Sequence, residues 1–252
     1  MPDEVASDDA VRFDRLARTR TFRESAMGRW SQTRLAVIGD GLLGDRLAAE
    51  AVLSGVGRVD VWDFEATAPE NQGNQFGQPG VLKVDGTVRR CEAIRPGRVR
   101  GHCCDIRHAS IRTLAKCDVL IDCTDDPELA WPLTQISNGL GRPLLRAAVD
   151  GSGEMELGRV ACSSGHSGHA CQLCTYSLDD LRRRLPRTPC PGRQQDGRAP
   201  TLAGGAMGAS ISALALLQAQ RLATGNDMEL VLNHEVILDW TNFQLFDLRL
   251  DP

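Results

Sequence analysis

Three glycines, an aspartate and a lysine carry the most pointed chemistry in this chain of 252 residues. Gly39, Gly41 and Gly44 stand in a G-x-G-x-x-G spacing directly after the apolar run Leu35-Ala36-Val37-Ile38 and before Asp45 to Leu53, a stretch rich in alanine and leucine. Strand, tight turn and helix in that order put a helix N-terminus at the turn. Glycine lets a phosphate approach the backbone there, because no Cβ stands in the way. A second apolar segment, Val59 to Trp62, ends at Asp63, and the interval fits a β-α-β unit in which an acidic residue at the strand end accepts hydrogen bonds from ribose hydroxyls. These residues point to an adenine nucleotide, and at this stage NAD and ATP serve the pattern equally.

The cysteines suggest a second kind of chemistry. Their number, nine, is odd and their spacing irregular, so no disulfide framework is expected, and in a reducing compartment such residues are buried small hydrophobes, metal ligands or catalysts. Cys171-x-x-Cys174 has the spacing of half a tetrahedral zinc site, which Cys162, His166 or His169 would complete. Cys190, in Thr188-Pro189-Cys190-Pro191, lies between Arg187 and Arg193, a basic setting that favours the nucleophilic thiolate.

The elements that must position these groups alternate along the chain. Residues 1–33 form a polar, arginine-rich lead-in of expected helical character without a strong amphipathic face. Beyond the first β-α-β unit, Thr67 to Gly80 is rich in Asn, Gln, Gly and Pro, a surface loop of a length that often carries function. A helix is predicted over Lys83 to Ile94, a strand over Val99 to Cys104, a short helix over Ile111 to Lys116, and a buried strand over Val119 to Cys123 followed by Asp125-Asp126. Then come a helix over Leu129 to Leu140, strands over Pro143 to Ala148 and Met155 to Ala161, an irregular crossover over 176–203, an apolar helix over Gly208 to Leu222, and two alternating strands, Met228 to Ile237 and Asn242 to Leu248. Strand and helix alternation predicts an α/β fold with a mainly parallel sheet extended by antiparallel strands at its end. A single domain over 1–252 is expected.

Composition excludes several functions. A formal charge of −4 leaves no basic footprint for nucleic acid, and the cluster Arg182, Arg183, Arg184 and Arg187 reads as a solvated loop. The longest apolar stretch, Ile211 to Leu217, is far shorter than the about 20 residues that span a bilayer. The acidic start, with Asp3, Glu4, Asp8 and Asp9, is unlike a secretory signal. A cytoplasmic protein is expected.

Downstream motifs separate ATP from NAD. Gly39-Asp40-Gly41-Leu42-Leu43-Gly44, then Asp63-Phe64-Glu65, Glu70-Asn71-Gln72-Gly73-Asn74-Gln75, Lys83-Val84-Asp85 and Asp122-Cys123-Thr124-Asp125-Asp126 resemble, in order, the Gly-rich turn, D-x-D, S-N-L-x-R-Q, lysine and T-D-N of the ThiF/MoeB/HesA family of ubiquitin-activating-enzyme-like adenylyltransferases. Asp14-Arg15, Cys171-Gln172-Leu173-Cys174, Cys190 and the apolar helix from Gly208 extend the resemblance over nearly the whole chain.

The resemblance implies a Rossmann-like three-layer fold, ATP and Mg²⁺ as cofactors with Zn²⁺ on the cysteine pair, and adenylation of a carboxylate. That carboxylate would be the C-terminus of a ubiquitin-like sulfur carrier or of a peptide, released to a sulfur, nitrogen or thiol nucleophile. By position, Gly39, Gly41 and Gly44 would form the phosphate turn and Asp63 would hold the ribose. Asn71, Asn74, Gln75 and Lys83 would approach the triphosphate, and Asp125, beside Asp126, would bind Mg²⁺. Cys190 would be a covalent nucleophile of the crossover. The family pattern has arginines where this chain has Asn74 and Ala130, and a glycine where it has Leu42. Arg15 of a second subunit is the first candidate substitute, which implies a homodimer; Arg193 and Arg198 are others. The rival expectations are a nonenzymatic partner that binds nucleotide or peptide, and an NAD-dependent dehydrogenase.

Overall fold

The computed structural model describes residues 3–124, 126–151, 154–166, 169–175, 202–225 and 232–249. The first β-α-β unit is built as its residue pattern requires. In β1 (Arg34–Ile38), Leu35 and Val37 face one apolar cluster while Ala36 and Ile38 face another, so alternation on a strand buried on both sides defines two cores. β1 is followed by α3 (Gly44–Leu53) and β2 (Arg58–Trp62), which pairs with it in parallel.

The chain then runs through α4 (Lys83–Ile94), β3 (Val99–His102), α5 (Ile111–Leu114), β4 (Val119–Asp122), α6 (Ala130–Leu140), β5 (Leu144–Asp150) and β6 (Leu157–Ser163). It closes with the long helix α7 (Gly205–Thr224) and the hairpin β7 (His234–Asp239) and β8 (Gln244–Arg249). The strands form one sheet in the order β3-β2-β1-β4-β5-β6-β7-β8, parallel through β5 and antiparallel from β6 onward. Helices α3, α4 and α7 cover one face, while α5 and α6 cover the other, giving three layers. The expected fold class is therefore the observed one.

Some boundaries moved for local reasons. β3 stops at His102 rather than Cys104, because the Cys104 N–H turns back to the His102 carbonyl (2.9 Å). α7 begins at Gly205, three residues earlier than Gly208, with extended Gly204 as its N-cap and its carbonyl taken by the Gly208 N–H (3.1 Å). The loop after β2 holds a single 3₁₀ turn over Pro69–Gly73. The beginning of the predicted strand from Met228 and most of the crossover over 176–203 lie outside the described residues.

The lead-in holds more core than its composition suggested. It forms α1 (Asp3–Ala17) and α2 (Arg23–Trp30), and Phe22, Ala26 and Trp30 recur every fourth residue to make a narrow buried stripe. The Trp30 indole N–H donates to the Ser54 carbonyl (3.1 Å) at the end of α3. α1 lies at that same end of the sheet: Arg95 bonds Asp9, Arg12 donates to the Ile94 carbonyl, and Phe13 packs under Gly55. Among the described residues no helix is long and apolar enough to cross a membrane.

Candidate nucleotide site

The turn between β1 and α3 has glycines with separable jobs. Gly39 is in the left-handed region (φ +87°), and a Cβ on it would meet Thr124 Cγ2 at 2.8 Å. A Cβ on Gly44 would lie 1.9 Å from the Gly39 carbonyl oxygen. Both are fixed by the fold. Around Gly41 only Gln75 Nε2 comes within reach of such a Cβ, at 3.8 Å, so the open side of the turn lies over Gly41. The first turn of α3 leaves backbone N–H groups without intrahelical partners there, at the positive end of the helix dipole, where an anion binds. Leu42, standing where the family has glycine, is accommodated from the far side: it nests against Gly208 of α7, whose own Cβ would sit 2.5 Å from Leu42 Cγ.

Asp63 directly follows β2 beside this turn and ties it down. Its Oδ2 accepts from the Asp40 N–H and its Oδ1 from the Glu65 N–H, both at 2.8 Å. Each oxygen keeps a second lone pair for a ribose hydroxyl. Lys83 opens α4, is buried, and its Nζ lies 2.7 Å from Glu65 Oε2. Thr87 and Arg90 follow Lys83 at i+4 and i+7, one stripe of α4 turned to the site. Arg90 pairs with Asp45, and Thr87 Oγ1 lies 3.0 Å from Asp45 Oδ1 and 3.0 Å from Asp40 Oδ1. Buried Asn71 accepts the Ala68 N–H through Oδ1 (3.0 Å), which directs its amide donors to the other side. Asp40, Asp45, Gln75, Lys83, Thr87 and Arg90 line a common narrow cavity.

Burial is the main cause raising the Asp40 carboxyl to about 8, with Asp45 and Asp63 adding repulsion and Thr87 and Arg90 opposing it. Asp63 is raised as well, again by burial, against the attraction of Lys83. A group whose pKa is higher folded than unfolded favours the folded state most below the unfolded value, and that advantage is lost as pH rises toward the folded value. Wild-type stability should therefore fall between about pH 4 and about pH 8 through Asp40. Asp40→Asn should abolish this slope, so that its melting temperature exceeds wild type by a margin that widens from pH 5 to pH 8. Parallel melting curves across that range would contradict the assignment.

The other expected site residues are distributed unevenly. Asn74 does not face the turn with its donor: Nδ2 donates to the Ala203 carbonyl (3.1 Å), and the Asn74 carbonyl accepts from Arg46 (2.9 Å). Asp126 caps the short 3₁₀ turn over Pro127–Leu129 through the Glu128 N–H (3.0 Å), and Arg107 lies 3.8 Å away. Asp125 and Cys190 lie outside the described residues, as do Arg193 and Arg198. Arg15 is exposed on α1, at the opposite end of the sheet from the turn, so within one chain it is not part of this site. Ala130 is buried at the start of α6, next to exposed Trp131. Asp122, fully buried, holds the chain after β4 through the Thr124 N–H and hydroxyl (3.0 and 2.7 Å).

Cys171 and Cys174 do converge. Their sulfurs are 3.8 Å apart, the edge of a tetrahedron with metal–sulfur bonds of about 2.3 Å. Among the described residues no third His, Cys, Asp or Glu joins them to form a metal-binding group. Sequence reasoning missed Asp40, Arg46, Thr87 and Arg90. The spacing of Thr87 and Arg90 from Lys83 was the available signal, whereas nothing local announced Arg46.

A Gly-rich turn at the carboxyl end of a parallel sheet, beside a strand-end aspartate and a buried lysine, defines an α/β nucleotide-binding protein. The chain belongs to the ThiF family, whose model matches residues 13–250. It is 22% identical over 179 residues to the Arabidopsis thaliana adenylyltransferase and sulfurtransferase MOCS3, covering 68% of this chain and 37% of that protein. The chain thus spans little more than a third of that curated relative. Among solved structures, PaaA superposes with a TM-score of 0.71 at 16% identity over 96% of this chain and 74% of that one. Escherichia coli MccB with ATP gives 0.69 at 14% identity over 90% and 66%.

Proposed function

We propose that this protein uses ATP to adenylate a carboxylate, the C-terminus of a peptide or of a ubiquitin-like sulfur carrier, giving an acyl-adenylate and pyrophosphate. The observation that carries the reading is the Gly-rich turn, open over Gly41 and tied through the Asp40 N–H to Asp63, beside a narrow cavity lined by Asp40, Gln75 and buried Lys83, in a ThiF-family chain. MOCS3 is an adenylyltransferase, and MccB has been solved with ATP and with AMPCPP together with MccA, which supports both the nucleotide and a peptide-like carboxylate donor.

The phosphates would lie on the first turn of α3 above Gly41, with the ribose on Asp63 and the amide of Asn71 on a phosphate oxygen. Lys83 would neutralise charge as the bond to pyrophosphate breaks, with Glu65 fixing its ammonium. Attack of the carboxylate on the α-phosphate needs positioning and neutralisation more than a strong base, so no histidine is assigned. Asp125, with phosphate oxygens, would hold Mg²⁺, whose charge aids departure of pyrophosphate. Cys171 and Cys174 would supply two ligands of a Zn²⁺ ion, and Cys190 would accept the activated acyl group. We read the chain as one cytoplasmic domain working as a homodimer, in which Arg15 reaches the partner subunit's site.

A second reading, a nucleotide- or peptide-binding partner without this chemistry, draws on the Asn74 amide spent on Ala203 and on Ala130. Pyrophosphate–ATP exchange separates the two. Exchange dependent on a free C-terminal carboxylate, and absent with the amidated peptide, is expected of the enzyme. ATP binding without exchange by any peptide or carrier encoded beside its gene would favour the second reading.

A further inference from the structure

The slot at Asn74 lacks a cation, but a guanidinium stands beside it. Arg46, in the first turn of α3, donates through Nη1 to the Leu42 carbonyl (3.1 Å) and to the Asn74 carbonyl (2.9 Å). Its guanidinium carbon lies 4.7 Å from the centroid of the Phe76 ring. Three contacts from both sides of the site therefore fix a side chain that is free to wander on most helix surfaces. The Arg90 guanidinium carbon also lies 4.7 Å from the centroid of Phe76.

The two arginines differ in what neutralises them. Arg90 is paired with Asp45, whereas among the described residues no carboxylate lies within ion-pairing distance of Arg46. Its bonds go to neutral carbonyls through one nitrogen, leaving Nε and Nη2 as further donors. Burial lowers its pKa from the usual arginine value, with the attraction of Asp45 opposing and the repulsion of Arg90 adding to it. An ordered, half-buried guanidinium with no carboxylate in direct contact, at the rim of a phosphate turn, is suited to contact an anion.

We propose that Arg46 supplies, from α3, the positive charge that the ThiF pattern places at position 74, and that it contacts the β- or γ-phosphoryl group of ATP. Phe76 holds the guanidinium plane, and the Asn74 side chain, drawn to Ala203, clears the space. The proposal rests on the ATP reading above and gives the chain a charge complement of its own. It also explains why Asn74 is tolerated: an arginine there would crowd a second guanidinium against Arg46.

Calorimetric titration of the full chain with ATP and with AMP, each with Mg²⁺, tests this without knowledge of the carboxylate. AMP lacks the phosphoryl groups that Arg46 would touch. In Arg46→Gln, ATP affinity should fall about tenfold or more while AMP affinity stays within about twofold, and with an active acceptor pyrophosphate exchange should fall about 100-fold. If wild type binds ATP and the variant loses neither nucleotide, or both equally, Arg46 is not the phosphate contact, although the nucleotide reading stands. If wild type binds no ATP, the underlying reading fails and Arg46 with it. Should Arg46→Gln not fold cooperatively, Arg46→Lys decides: an ATP-over-AMP preference within about tenfold of wild type supports the charge role, and loss of that preference overturns it.

Discussion

Lys83→Ala should abolish pyrophosphate exchange, lowering its rate by about three orders of magnitude, while the protein still folds. Both halves of this expectation follow from the ion pair. The Lys83 side chain is 5% exposed and the Glu65 side chain 32% exposed. Removing the lysine thus leaves a carboxylate that water can reach, and the stability cost should stay near about 1 to 2 kcal/mol, well below that of stranding a fully buried charge. The catalytic cost is larger because the lost cation faces charge that develops only as pyrophosphate departs. A single such group is worth about 100-fold to 1,000-fold in rate, and Glu65, freed of its partner, adds a negative charge beside the phosphates. Binding of ATP should weaken by about tenfold. Exchange within threefold of wild type would remove Lys83 from the mechanism.

The second large effect separates glycines that the sequence spacing treats alike. Gly44→Ala drives a Cβ to 1.9 Å from the Gly39 carbonyl oxygen. Neither backbone can yield, since the Gly39 N–H is bonded to the Trp62 carbonyl (2.8 Å) and Gly39 abuts Cys123 and Thr124. Overpacking against backbone should cost about 3 kcal/mol or more, a fall in melting temperature of roughly 6 to 12 °C for a chain of this size. Gly41→Ala meets only the mobile end of Gln75. Its melting temperature should stay within about 1 °C of wild type, yet ATP affinity should fall about tenfold or more, because the new methyl group enters the space of the phosphates. Equal destabilisation by both substitutions would show that the open side of the turn is not over Gly41.

What could be read from the sequence follows the distance over which each signal acts. The strand-turn-helix at Leu35 to Gly44 and the aspartate directly after β2 are short-range patterns, and they lie in the structure as expected. The alternation that predicted a parallel sheet with antiparallel final strands is a chain-long signal and equally legible. The lead-in was under-read, because three core residues, Phe22, Ala26 and Trp30, are outnumbered by solvated neighbours. The site's charges were harder. Asp40 reads as a polar turn residue, and only its burial and the nearness of Asp45 and Asp63 raise its carboxyl. Arg46 acquires its meaning from the Asn74 carbonyl, 28 residues away, and from an aromatic ring that the sequence offers as one more loop residue. Contacts of that kind are set by how loops pack, which no local pattern records.

The most direct test is a structure of the protein with ATP and Mg²⁺. The phosphates should lie on the first turn of α3 over Gly41, with the ribose hydroxyls on Asp63 and a phosphoryl oxygen within hydrogen-bonding distance of Lys83 Nζ. ATP found away from this turn, or NAD filling it while ATP does not bind, would contradict the assignment of the site and of the chemistry built upon it.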